Sequence, residues 1–364
     1  MKLNMVDEKQ GHTYYQWIYA SVASIGFMLF GMEAGWLSPI TKTLQSEHSP
    51  LGYPLSSSTI SLCASVTAIS SAFTVFLYSY LVDKYGRKWI IFAITIPQAD
   101  AYKTVAFLRG VKTDDKVVVN EINEMQKQEE EFNSMSTIGM RTIIRDKSWR
   151  QGLIIMLATF TLHSWNGAFA ILTYASAILS STGNVFDISP QLQTISFPIV
   201  MIIASLSLTG VAERFGRRVL LAAGFLISGL ALTALGVAML VKQYGYVVPS
   251  WLPITSMMVA VAMYAGSVRP LPYVISTEMF NFQVRAKVMG SIVTYGWVIV
   301  ATQLFAYGPL TATCGLHVTF ICYGIINFLG VIMCYIMPET KGRTDQEIRH
   351  ALAHPKSKTI SKPT

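Results

Sequence analysis

Charge is scarce in this 364-residue chain. Asp, Glu, Lys and Arg together make up 13%, while apolar residues make up 52%. So little charge cannot cover the surface of a water-soluble protein of this size. The four cysteines, Cys63, Cys314, Cys322 and Cys334, lie in or beside apolar stretches without metal-ligand spacing and read as small packing residues. There is no phosphate-binding G-x-x-x-x-G-K-[ST] loop, no dinucleotide glycine motif, no HExxH and no CxxC, so neither enzyme nor metal chemistry is expected, and no cofactor. No Asn-x-Ser/Thr acceptor is present either. The first sixteen residues are polar and the apolar run after them is too long for a signal h-region, so it is expected to insert uncleaved.

What is abundant is long apolar runs. Eight segments reach the length of about 20 residues that a bilayer crossing needs. They run from Trp17 to Leu37, Ile60 to Val82, Leu153 to Leu179, Ile195 to Ala212, Val219 to Val241, Ile254 to Ile275, Val288 to Leu310 and Leu316 to Met337. Glu33 and Arg269 are the formal charges inside them. The expected fold class is an all-α polytopic membrane protein with eight full crossings.

The net charge of +8 does not imply nucleic acid as a partner, because the basic residues alternate from loop to loop. Lys84, Arg87 and Lys88 follow the second span. Arg214, Arg217 and Arg218 follow the fourth, Arg285 and Lys287 the sixth, and Lys341 and Arg343 the eighth. The opposite loops hold little beyond Lys42 and Lys242. The positive-inside rule then places both termini in the cytoplasm. Between the second and third spans only Trp89 to Ile96 is apolar, about a third of a crossing. The charged stretch Gln98 to Arg150 is expected to stay cytoplasmic, with an amphipathic helix from Val117 to Phe132.

A hexamer recurs. Asp83-Lys84-Tyr85-Gly86-Arg87-Lys88 and Glu213-Arg214-Phe215-Gly216-Arg217-Arg218 share the order acid, base, aromatic, Gly, Arg, base, each at the end of an apolar span. Glycine permits a tight turn there, and the bases anchor at headgroups. The pair reads either as topogenic charge or as a latch that breaks when two halves of the protein rock.

These hexamers resemble the D-R-x-G-R-[RK] loops of the sugar-porter branch of the major facilitator superfamily. Pro338-Glu339-Thr340-Lys341-Gly342-Arg343-Thr344 resembles that branch's P-E-T-K-G-[RK]-[ST] signature. Pro270, Pro272, Tyr273, Glu278 and Arg285 match its tenth-helix pattern, with Asn281 in place of a Pro and Arg269 in place of a Gly. Gly35-Trp36 and Ser38-Pro39 are similar to the first helix of insect facilitated trehalose transporters. Gly167 and Tyr174 match the seventh helix, where His163 and Ser164 replace two Gln and Phe169 an Asn. Trp297 matches the eleventh.

The resemblance implies transport of a sugar, a hexose or a disaccharide such as trehalose, by alternating access and facilitated diffusion. Proton coupling through Glu33 and a truncated, non-transporting regulator are the alternatives. It implies His163, Ser164, Gly167, Tyr174, Tyr273 and Trp297 as substrate-binding residues. For the cytoplasmic gate it implies Asp83, Gly86, Arg87, Lys88, Glu213, Gly216, Arg217, Arg218, Glu278 and Arg285. On one continuous helix His163, Gly167, Ala170 and Tyr174 would share a face. Arg269 would face an aqueous cavity or snorkel, with anion binding as the alternative.

Only 130 positions separate Asp83 from Glu213, so the resemblance implies that most of the family's helices three to six are absent, and Pro97 to Gly110 resembles the segment after its sixth helix. The expected organisation is 1–98, a truncated bundle of two helices and a fragment; 99–150, a cytoplasmic loop; 151–340, a six-helix bundle; and 341–364, a cytoplasmic tail. Partners would be the sugar, the lipid bilayer (most simply the plasma membrane), and either a second copy or a complete transporter.

Overall fold

The structure is a computed structural model that describes residues 53, 55–85, 119–120, 139–182, 193–211 and 215–353. The chain divides into two compact units, Met1–Glu33 with Tyr80–Ile138, and Ala34–Ser79 with Gly139–Thr364. Of the first, only the last turn of one helix and residues 119–120, also helical, are described. The expected first span with Glu33, the residues Gly86, Arg87, Lys88 and Glu213, and nearly all of the 117–132 helix lie outside the described residues.

The second unit is built from helices; no strand occurs among the described residues. Helix α1 (Ser57–Tyr85) is capped by Ser56, whose Oγ accepts the Thr59 N–H at 3.1 Å. Apart from Ile60, its buried stripe is made of small residues: Ser61, Ala64, Ser65, Ala68 and Ala72. Its exposed stripe is large and apolar: Leu62, Val66, Ile69, Phe73 and Phe76. That inversion of a water-soluble helix suits lipid outside and close helix packing inside.

A short α2 (Met140–Arg145) leads to α3 (Lys147–Ser164), whose cap is Asp146 accepting from Trp149 N at 3.0 Å. Then follow α4 (Ala168–Thr182), α5 (Ser196–Val211) and α6 (Arg217–Gln243). Helix α7 (Trp251–Met263) runs through a π-helical turn, Tyr264–Val268, into α8 (Pro270–Met279). The 55-residue element α9 (Phe282–Ile336) consists of two helical arms, each long enough for a crossing. It is divided at Gly315, whose φ of 81° only glycine adopts easily. A terminal α10 (Asp345–Ala353) packs on α3: Arg349 lies 4.7 Å over the Trp149 ring and 3.5 Å from Asp146.

Five stretches are long and apolar enough to cross a bilayer: Thr59–Leu77, Lys147–Ser181, Arg217–Gln243, Trp251–Met279 and Lys287–Ile336; Ser196–Ser207 is a shorter apolar one. The second, third and fifth to eighth expected spans overlap the five long stretches, and the fourth overlaps the shorter one. One expectation is corrected. The span from Leu153 to Leu179 is not one helix, because residues 165–167 form a turn with Gly167 at φ 99°. The shared face of His163, Gly167, Ala170 and Tyr174 is therefore lost: a left-handed residue resets the helical phase between α3 and α4.

Candidate functional site

The turn at 165–167 is held by polar groups in an apolar interior. Asn166 Nδ2 donates to Ser228 Oγ at 3.1 Å and to Asn327 Oδ1, and Asn327 Nδ2 donates to the Asn166 carbonyl at 2.9 Å and the Tyr323 carbonyl at 2.7 Å. A Cβ at Gly167 would sit 3.0 Å from the Tyr323 ring. Gly167 is thus required both by its backbone and by its neighbour. The sequence reading assigned Asn166, Ser228 and Asn327 no role. Two Asn inside apolar spans were the available signal, since a polar group in hydrocarbon must find a partner.

Just before this turn lies an aromatic wall. The His163 ring stacks on Tyr264, with centroids 5.6 Å apart and planes at 27°, and meets the edge of Tyr273 at 6.4 Å. Phe160 packs edge-on against Tyr273 at 5.1 Å. Phe169 joins Tyr264 at 5.7 Å to Trp297 at 6.3 Å. So His163, Tyr273 and Trp297, far apart in sequence, belong to one contiguous wall, together with Tyr264, which the sequence reading passed over. Both ring nitrogens of His163 and the Tyr264 hydroxyl are buried without a hydrogen-bond partner. Ser164 turns aside and donates to the Gly296 carbonyl at 3.3 Å.

Tyr174 stands apart from this wall. It stacks flat on Tyr307 at 4.3 Å and donates to Ser61 Oγ at 3.2 Å. These three, with Ile60, Ile178 and Thr311, line a cavity of about 280 Å³, near the small end of the pockets that hold small molecules.

The third cluster lies where α6 begins. Glu339 accepts the Arg217 N–H at 2.9 Å, the Arg218 N–H at 3.3 Å and the Lys341 N–H at 3.2 Å, so its carboxylate caps α6. Arg217 Nε lies 3.3 Å from Glu278 Oε1, and Thr340 Oγ1 donates to Glu278 Oε2 at 2.6 Å. Arg218 lies 5.1 Å from the Tyr335 ring centre. Arg285 instead bonds the Phe280 carbonyl at 3.0 Å. Asp83 lies in the last turn of α1; its side chain lies outside the described residues. Gly216 has an extended φ of −65°, open to any residue, so the turn does not demand glycine. Proximity does: a Cβ there would overlap the Glu339 carboxylate. Glu339 was legible only as part of a signature, not as a cap.

Replacing Glu339 by Ala leaves three N–H groups without their acceptor. The expected loss is about 1–2 kcal/mol, read as a lower unfolding temperature in detergent. Glu339→Gln, which keeps one acceptor oxygen, should lose less than half as much. An unchanged midpoint for Glu339→Ala would remove the cap from the account.

The family model "Sugar (and other) transporter" matches residues 97–352. The chain belongs to the sugar (and other) transporter family. The chain is 26% identical over 264 residues to the facilitated trehalose transporter Tret1 of Apis mellifera ligustica, covering 71% of this chain and 51% of that one. It is 26% identical over 257 residues to Tret1 of Anopheles gambiae, covering 69% and 32%. It therefore spans about half, or less, of these curated relatives.

Among solved structures, a D-xylose-proton symporter superposes with a TM-score of 0.60 at 16% identity, over 91% of this chain and all of that one. The inward-open xylose transporter XylE from E. coli does so at 0.54 and 16%, over 80% and 64%. At such identities the likeness is one of fold. It identifies the helices as a major facilitator arrangement, and the family is one of membrane transporters, not enzymes.

Proposed function

We propose that this chain serves transmembrane movement of a sugar, a hexose or a disaccharide such as trehalose, by alternating access and without proton coupling. The observation that carries the reading is the wall His163–Tyr264–Tyr273–Phe169–Trp297. Aromatic faces suit the apolar C–H surface of a sugar ring, and buried unpaired polar atoms suit its hydroxyls. In transporters of this architecture such a wall lies near the bilayer midplane, between two halves. The names of the trehalose transporters it matches agree with that class.

The same reading gives eight crossings with both termini in the cytoplasm, most simply in the plasma membrane. It divides the chain into 1–98, 99–150, 151–340 and 341–364. The cluster of Arg217, Glu278, Glu339 and Thr340 would then be one side of a cytoplasmic gate. The span of only about half of its relatives favours a second reading: a non-transporting form that acts by pairing with a second copy or a complete transporter.

The test is uptake. A chain given the relatives' helix three-to-six segment between Ile96 and Pro97 should show saturable entry of at least one labelled sugar from a panel of trehalose and hexoses. Surface-expressed protein that takes up none of them would count against the assignment.

A further inference from the structure

We infer that α2 and the start of α3 form a docking surface for anionic phospholipid headgroups, built from Arg141, Arg145, Lys147 and Arg150. The inference takes its leaflet, the cytoplasmic one, from the topology proposed above and does not depend on which sugar is carried.

Four bases fall within ten residues, 141–150, against a single acid, Asp146. Charge that only sets topology needs no particular helix face. Here the faces are specific. On α3, Lys147, Arg150 and Ile154 stand at i, i+3 and i+7, on one side of the helix. All three are exposed, while Trp149, Gly152, Met156 and Phe160 on the opposite side are buried. On α2, Arg141, Ile144 and Arg145 share the exposed side, and Ile143 lies on the buried one. Each pair of bases thus stands beside an exposed isoleucine: Ile154 is 57% exposed and Ile144 51%. Bases and apolar residues on one face suit a bilayer interface, with charge at the headgroups and carbon below them.

No protein group takes up these charges. The side chains of Arg141, Arg145, Lys147 and Arg150 make no hydrogen bond or ion pair among the described residues. The acid among them, Asp146, is engaged elsewhere: it accepts the Trp149 N–H at 3.0 Å and lies 3.5 Å from Arg349, which covers the Trp149 ring. Bases that hold the bundle together have acids beside them, as Arg217 has Glu278 and Arg349 has Asp146. Four positive charges are therefore left for a surface of opposite sign. Phosphate groups of anionic lipids supply one at the depth where an apolar span leaves the bilayer, and each base near such a surface is worth about five-fold in association. The three arginines also match phosphate with paired donors.

The experiment places the purified 364-residue chain in phosphatidylcholine bilayers and compares the association of trace spin-labelled phosphatidylserine with that of spin-labelled phosphatidylcholine. Phosphatidylserine should associate at least five-fold more strongly. Replacing Arg141, Arg145, Lys147 and Arg150 together by Gln should bring the two lipids within two-fold of each other. Replacing Lys356, Lys358 and Lys362 of the C-terminal tail by Gln should keep the preference, which separates a local site from net charge. If the four-base variant does not fold, each of the four single Gln variants should lower the preference by at least a third. No preference in the parent chain would overturn the inference, as would a preference that survives loss of the four bases or is lost with the tail lysines. Both leaflets carry the labelled lipid, so these results hold for either orientation of the chain. The leaflet is tested apart, by protease access to a cleavage site inserted at Gly139 in intact cells. Protection from outside is expected; cleavage would overturn the cytoplasmic placement and the topology with it, and leave the lipid preference standing.

Discussion

Proteoliposomes that hold only this 364-residue chain should take up labelled sugar at least ten-fold more slowly than those holding the form extended between Ile96 and Pro97. The reason is geometric. A midplane site in this architecture lies between two halves, and rocking of one half against the other exposes it to each side in turn. On the proposed division, α3 to α9 would supply one half, and α1 would be the described member of the other. Flux should be compared at equal protein density and orientation. Equal flux from the two forms would refute the argument, and would mean that a second copy supplies the opposite half.

Substituting Gly236 by Ile should be the most damaging single change in the described bundle. Helix α6 crosses the second arm of α9 at glycines. A Cβ at Gly236 would lie 2.7 Å from Ile321 Cγ1, 2.8 Å from the His317 carbonyl oxygen and 3.0 Å from Ile321 N. Two of these three are backbone atoms and cannot turn away. Overpacking costs about 1–3 kcal/mol where side chains can adjust, so the upper end or beyond is expected here. In a membrane, close approach through small residues is a main source of helix affinity. The measurement is the monodisperse fraction after detergent extraction, with the unfolding temperature of whatever survives. Gly139→Ala is the control: nothing lies within 4 Å of its added Cβ and φ is −74°, so a shift within about 0.5 kcal/mol is expected. A Gly236→Ile protein as stable as that control would show that the two helices separate at little cost.

How much of this could be read beforehand depends on what an apolar run records. Uniform runs with charge at their ends, such as those of α1 and α6, gave positions close to the helices, because length and hydropathy decide insertion. The same runs carry no record of φ. The break between α3 and α4 was therefore invisible to hydropathy, although Asn166-Gly167 sits at its centre. The site was legible in part for a related reason. His163, Tyr273 and Trp297 were singled out and fall on one wall, whereas Tyr174, matched by the same pattern, stacks on Tyr307 beyond the break. Tyr264 went unnoticed because an aromatic in an apolar run looks like packing until a neighbour such as His163 is placed against it. Glu339 was hidden differently: a motif records which residues recur together, not that one carboxylate ends three N–H bonds.

The π-helical turn at Tyr264–Val268 has a consequence for residue counting. Such a turn holds one residue more than the α-helix it interrupts. Every position after it is displaced by about 100° from the face that counting in threes and fours assigns. Deleting a single residue there would leave the span still long enough to cross. It would also swing Tyr273 and Glu278 together off the neighbours they now meet, so that one lost codon would uncouple the aromatic wall from His163 and the charged cluster from Arg217.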